Sequence, residues 1–150
     1  MIKNNKAVGV TVWFLRVGLG WLFFYAGITK VINSAWSAAG YLGAAKTFPA
    51  FFSWLTTPAN IPWVNFANEW GLTLIGLGLI TGLLVRPAAI AGIALMFLYY
   101  LPILDFPYPN PHSYLVDEHI IYILVLALLF NTDAGRFWGL DKMVFKRKYN

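Results

Sequence analysis

Residues 16–31 read RVGLGWLFFYAGITKV, an almost wholly apolar stretch with Arg16 at its start and Lys30 near its end. At about 100° per residue, Arg16, Gly20, Phe23, Gly27 and Lys30 fall on one narrow face of a helix. Small residues on such a face let a second helix come close. Charges inside lipid are costly, so the two cations need partners on the helices that pack there, or a ligand.

Outward from this stretch the apolar run extends from Ala7 to about Ile32, long enough for a bilayer core of ~30 Å, which takes about 20 residues. The whole chain of 150 residues is 59% hydrophobic, 18% aromatic and 11% charged. Ordinary soluble domains are roughly a quarter charged, and a soluble globule of this size could not hide so much apolar surface. The formal charge of +5 gathers at the chain ends and in short connections. No basic module interleaved with aromatics is present, which excludes nucleic acid as the expected partner. The chain has no cysteine, which excludes disulfides, thiolate catalysis and sulfur-ligated metals within it. A basic N-terminus before an apolar run resembles a signal peptide, but the run is too long and lacks a small-residue cleavage pattern.

Three further spans are expected, at about 65–85, 87–104 and 114–131, after a first at about 7–32. Between the first two, residues 33–64 are broken by Pro49, Pro58 and Pro62 and crowded with Trp36, Tyr41, Phe48, Phe51, Phe52, Trp54 and Trp63. Amphipathic rings favour the membrane–water interface, so one or two short interfacial helices are expected there, about 35–46 and 50–55. Pro87 suits the first turn of the third span, and Pro102 ends or kinks it. The fourth span opens with Asp117, Glu118 and His119, acidic groups that suit a helix N-terminus. The fold class expected is an all-α integral membrane protein: one domain, a four-helix transmembrane bundle with interfacial amphipathic helices between the first two spans.

Orientation follows from the basic residues. With both termini cytoplasmic, that side holds Lys3, Lys6, Arg86, Arg136, Lys142, Lys146, Arg147 and Lys148, and the other holds Lys30 and Lys46. Lys30, Glu69, Asp117, Glu118 and His119 then meet at the outer ends of the spans. Arg16 lies ~21 Å deeper than Lys30, counted at about 1.5 Å per residue. Its expected partners are Asn131, Thr132, Asp133 or backbone carbonyls. Lys30 is expected to pair with Glu69 or with Asp117 and Glu118.

This cluster has two main readings. It fixes helix register through ion pairs, or it binds a polar, redox-active ligand. For the second, Lys30, Glu69 and His119 are the candidate catalytic residues; Arg16, Phe23, Asp117, Glu118 and Tyr122 are the candidate binding residues. A cation or imidazole would hydrogen-bond a quinone carbonyl oxygen, and a carboxylate would exchange its proton. An ion or solute pathway is a third reading. His112, which follows Pro111, and His119 lie seven residues apart and make a poor haem pair, so no metal is expected. No HExxH, phosphate loop or GxSxG occurs.

Three segments together resemble the DoxX/DoxD family of small four-helix membrane proteins. They are RVGLGWLFFYAGITKV with Arg16, Gly20, Gly27 and Lys30; NEWGLTLIGLGLITGLLVRPAAI with Glu69, Gly76, Gly82 and Arg86; and DEHIIYILVLALLF followed by AGRFWGLD, with Asp117, His119, Gly135 and Asp141. The resemblance implies a multi-pass protein of the inner or plasma membrane, working with a partner subunit or as an oligomer. Its DoxD branch, similar in the aromatic segment and the HIIY stretch, implies the small subunit of a thiosulfate:quinone oxidoreductase, with a noncovalently held quinone and Lys30 or Arg16 as the contact for a small anion. The alternative is a nonenzymatic scaffold or accessory subunit of a larger complex.

Overall fold

A computed structural model describes residues 6–144, and among them every regular element is helical. Lys3, Lys146, Arg147 and Lys148, used above to orient the chain, lie outside the described residues. The elements in order are α1 (Lys6–Val31), α2 (Ala39–Gly43), α3 (Pro49–Leu55), α4 (Ile61–Thr81), α5 (Val85–Ile103), α6 (Glu118–Asn131), a single 3-10 turn (Ala134–Arg136) and α7 (Asp141–Val144).

α1 contains no proline. Its buried residues are Gly9, Val12, Arg16, Leu19, Gly20, Phe23 and Gly27, the narrow face expected from the 3.6-residue period. α4 runs antiparallel along that face. A Cβ on Gly20 would fall 2.9 Å from the Ile80 nitrogen, and Cβ atoms on Gly27 and Gly76 would collide with the backbones of Thr73 and Phe24. The glycines are therefore the seam between α1 and α4. α6 packs along α5, and α4 against α5 joins the two pairs. Phe23, Leu72, Leu79, Met96, Leu126 and Leu129 fill the space between them.

The helix bounds differ from the sequence expectation in instructive places. α4 begins at Ile61 because Pro62 sits in its first turn, where a missing N–H removes nothing. It stops at Thr81 because Gly82 takes φ +69 and its N–H closes on the Gly78 carbonyl. α5 begins at Val85, ahead of Pro87. α6 begins only after Asp117, whose carboxylate accepts from the backbone N–H groups of His119 and Ile120. At 14 residues α6 is about 21 Å long, less than the ~30 Å of a bilayer core.

α1 and α5 are each long and apolar enough to cross a membrane, and about a third or fewer of the residues in their most apolar windows are buried inside the protein. A soluble core helix would be mostly buried. Phe14, Trp21 and Tyr25 of α1, Leu74 of α4, Ile90 and Phe97 of α5 and Leu124 of α6 all face outward. Polar side chains in the long helices turn back on their own backbone. Thr11 donates to the Ala7 carbonyl at 3.0 Å, Thr29 to Tyr25 at 2.8 Å, Thr81 to Leu77 at 2.8 Å and Asn131 to Ala127 at 2.8 Å. Such bonds satisfy a hydroxyl or amide where no water is available.

α2 and α3 form the roof over one end of the bundle, with a small core of Ala38, Leu42 and Phe52. The roof is tied down by Lys46 N–H to the Pro102 carbonyl at 2.8 Å, the Thr47 hydroxyl to Leu104 at 2.5 Å, and Ala38 N–H to the Asn65 side chain at 2.9 Å.

Candidate functional site at the Lys30 end

Beneath this roof lies a cavity of about 650 Å³, bounded by the roof, the Lys30 end of α1, the first turns of α4, the last turns of α5 and the start of α6. Its volume is in the range of small-molecule sites. Leu42, Phe52, Leu55, Val64, Leu95, Leu98 and Ile103 make an apolar wall; Lys30, Asn68, Tyr99, Asp117, Glu118 and His119 supply the polar groups.

Lys30 stands at the last turn of α1 and is held from three sides. Its ammonium donates to Asn68 Oδ1 at 3.0 Å and to the Tyr99 hydroxyl at 3.0 Å, and lies 4.8 Å from the centre of the Trp36 ring. Amides, phenols and ring faces are partners that do not cancel the charge. Across the cavity, Asp117 is buried and does two tasks. Oδ1 accepts from His119 N–H at 3.0 Å, while Oδ2 meets His119 Nδ1 at 2.7 Å. The carboxylate places the Nδ1 proton and leaves Nε2 for a ligand. The His119 ring stands edge-on to Tyr99 with centroids 5.9 Å apart, so the imidazole and the ammonium share one wall residue. The Tyr41 hydroxyl donates to the Tyr99 carbonyl at 2.5 Å and closes the roof over this wall. The Tyr41 phenol is pushed above its ordinary range by burial first, then by Tyr99, Asp117 and Glu118.

Of the residues expected from sequence, Lys30, Asp117, Glu118 and His119 come together around this cavity. Glu69 does not line it and makes no ion pair with Lys30 within 4 Å; Asn68 takes that place. Adjacent helix positions point about 100° apart, and it is Asn68 that shares the buried face of α4 with Leu72, Ile75, Gly76 and Leu79. Phe23 and Tyr122 do not line the cavity either; they pack edge-to-face on each other at 6.0 Å, farther into the bundle. Asn68, Tyr99, Trp36 and Tyr41 were not among the expected site residues. Their signals were an amide inside an apolar helix, a tyrosine pair at a helix end, and rings in the interfacial segment.

Arg16 is elsewhere. It is fully buried at the other end and donates to the carbonyls of Ala134 at 2.7 Å and Trp138 at 3.3 Å. Backbone carbonyls are thus its partners, as one of the sequence alternatives had it. Asp133 pairs with Arg86 at 2.7 Å, and Asn131 and Thr132 bond to their own helix. Arg16 does not line the Lys30 cavity.

A family model described as DoxX matches residues 11–102, from α1 to the penultimate residue of α5. The chain belongs to the DoxX family. With its two membrane-length helices and outward apolar faces, this DoxX chain is a membrane protein. The matched DoxX segment carries Lys30, Trp36, Tyr41, Asn68 and Tyr99, while the Asp117–His119 wall follows it. Comparisons with characterised proteins and with solved structures return no match.

Proposed function

We propose that this DoxX protein is the membrane subunit of a quinone-linked oxidoreductase, of the thiosulfate:quinone type suggested by its DoxD resemblance, and that it holds the quinone head in the Lys30 cavity. The supporting observation is the arrangement of a single cavity with an apolar wall facing two proton-capable polar groups, the Lys30 ammonium and the His119–Asp117 pair. Leu98 and Trp63, which line the cavity, are also exposed on the bundle surface, so an apolar tail could leave toward lipid.

A bound quinone would supply a two-electron, two-proton acceptor. The chain's own residues bind and handle protons. Lys30 donates a hydrogen bond to an oxygen of the head. His119 would give or take a proton at the head, its ring held through Nδ1 by Asp117. Trp36, Tyr41 and Phe52 exclude water. No residue here carries electrons in a thiol, and the described residues hold no group of His, Cys, Asp and Glu suited to a metal; electrons arrive from a partner or a soluble donor.

In this reading α1, α4, α5 and α6 all cross the plasma (inner) membrane with both termini cytoplasmic. Lys6, Arg86, Arg136 and Lys142 lie at the Arg16 end of the bundle, Lys30 and Lys46 at the roofed end. α6 reaches across with help from the loops at its two ends. A partner subunit, a second copy of the chain, or both, complete the complex. Extraction of the purified protein should yield quinone, and Lys30→Ala and His119→Ala should lower its occupancy about tenfold or more, the scale of losing a hydrogen bond to a charged group. Recovery of a partner with no quinone, and no effect of either substitution, would favour the scaffold reading instead.

A further inference from the structure

The Lys30 cavity has the charge pattern of a site for a neutral head group, and its own carboxylates oppose a small oxyanion. We infer that this cavity admits a neutral, hydrogen-bonding, apolar-bodied ligand and rejects thiosulfate-like dianions, so that any oxyanion donor is oxidised at a surface supplied by another subunit. The inference rests on the quinone reading and specifies what that site excludes.

Protein sites for small anions use an unshared cation, a free helix N-terminus, or both. Both devices are present at this cavity; the helix N-terminus is taken, and the cation is shared and outnumbered by carboxylates. The Lys30 ammonium is engaged by Asn68, Tyr99 and the ring of Trp36. The N-terminus of α6 is occupied by the buried carboxylate of Asp117, whose Oδ1 receives the His119 N–H at 3.0 Å and the Ile120 N–H at 3.4 Å. The cavity wall carries one lysine against two carboxylates, Asp117 and Glu118. Glu69 adds its field at Lys30 from outside the wall. A dianion placed between Lys30 and His119 would face these carboxylates in a space whose other wall is apolar.

A neutral carbonyl oxygen meets none of this opposition. It can share the Lys30 ammonium with Tyr99 and Asn68, since an ammonium has three donors and two are engaged by these side chains. The structure therefore separates two tasks that the family resemblance would have merged on Lys30.

The test uses full-length protein in lipid nanodiscs. Binding of a soluble quinone analogue is followed by quenching of tryptophan fluorescence, since Trp36 and Trp63 line the cavity. Thiosulfate is then titrated against sulfate at constant ionic strength. The wild type should bind the analogue with an apparent Kd that changes less than about twofold over the thiosulfate series. In Glu118→Lys, which reverses the charge of an exposed wall residue, thiosulfate should displace the analogue. Saturable displacement by thiosulfate in the wild type would overturn the inference while leaving the quinone site standing. Absence of displacement in both proteins would show that charge is not the selecting property, and would overturn it too. Failure of the wild type to bind the analogue would remove the quinone reading, and the inference with it.

Discussion

The two ends of the bundle each hold one cation of α1, Arg16 buried and Lys30 half-buried, and they treat it in opposite ways. Around Arg16 the chain closes completely. Gly82 and Gly139 bring backbone against the guanidinium, which a Cβ on either residue would touch at about 2.6 and 2.5 Å. Carbonyls of Ala134 and Trp138 take its protons. Asp141, a short way on, accepts the N–H groups of Leu84 at 2.7 Å and Val85 at 3.1 Å, so the segment that covers Arg16 also caps α5. The Arg16 Nε has no hydrogen-bond partner among the described residues. Around Lys30 the chain stays open: neutral partners, a cavity, and a roof held by hydrogen bonds of Ala38, Tyr41, Lys46 and Thr47. A buried cation by itself therefore says little about function. What distinguishes a lock from a site is whether its surroundings are filled by the backbone.

The contrast can be broken most severely at the closed end. Gly82→Val places a β-branched residue at φ +69 and drives its Cβ into Gly139 and Arg16. A loss of about 3 kcal/mol or more is expected, read as a large fall in the thermal midpoint of the detergent-solubilised protein. Arg16→Met removes two charge-assisted hydrogen bonds, to the Ala134 carbonyl, which keeps the Phe137 N–H at 3.2 Å, and to the Trp138 carbonyl; it should cost about 2–3 kcal/mol, with quinone-analogue affinity per folded molecule unchanged. Asp141→Ala removes the cap of α5 and should cost about 1–2 kcal/mol, again with binding intact.

The open end should answer in the other currency. Lys30→Met loses two hydrogen bonds but no longer buries a charge, so its stability should stay within about 1 kcal/mol of wild type while analogue binding weakens about tenfold. Glu69→Gln should do least: among the described residues Glu69 makes no ion pair, and a change within about 0.5 kcal/mol is expected. A large effect at Glu69 would mean that the sequence pairing of Lys30 with Glu69 holds after all.

The difference between the ends also explains what could be read from the chain alone. The face Arg16–Gly20–Phe23–Gly27–Lys30 follows from helical period, and the structure buries its core as that period requires. The acidic start of α6 was legible from the charge type that suits a helix N-terminus, though the sequence places its bound at about 114 and Asp117 caps the helix only at Glu118. The choice of Asn68 over Glu69 was not, because one residue of rotation on α4 decides it and charge complementarity argues for the wrong neighbour. The lock on Arg16 was visible only as a family-like AGRFWGLD stretch. Its function comes from a segment that folds back without periodicity and caps a helix more than fifty positions away in sequence. Pro62 was read as a break when it begins a helix, since proline at a first turn and proline in a loop look alike in sequence.

The central claim is that the Lys30 cavity, and not the Arg16 end, is where a ligand binds. A photoreactive quinone analogue activated on the protein in nanodiscs tests it directly, with the attachment points mapped by mass spectrometry. Labels on Trp36, Tyr41, Tyr99 or His119, competed away by unlabelled quinone, are the predicted result. Labels confined to residues 134–141 and the first half of α1, or spread over the lipid-facing residues without competition, would contradict it.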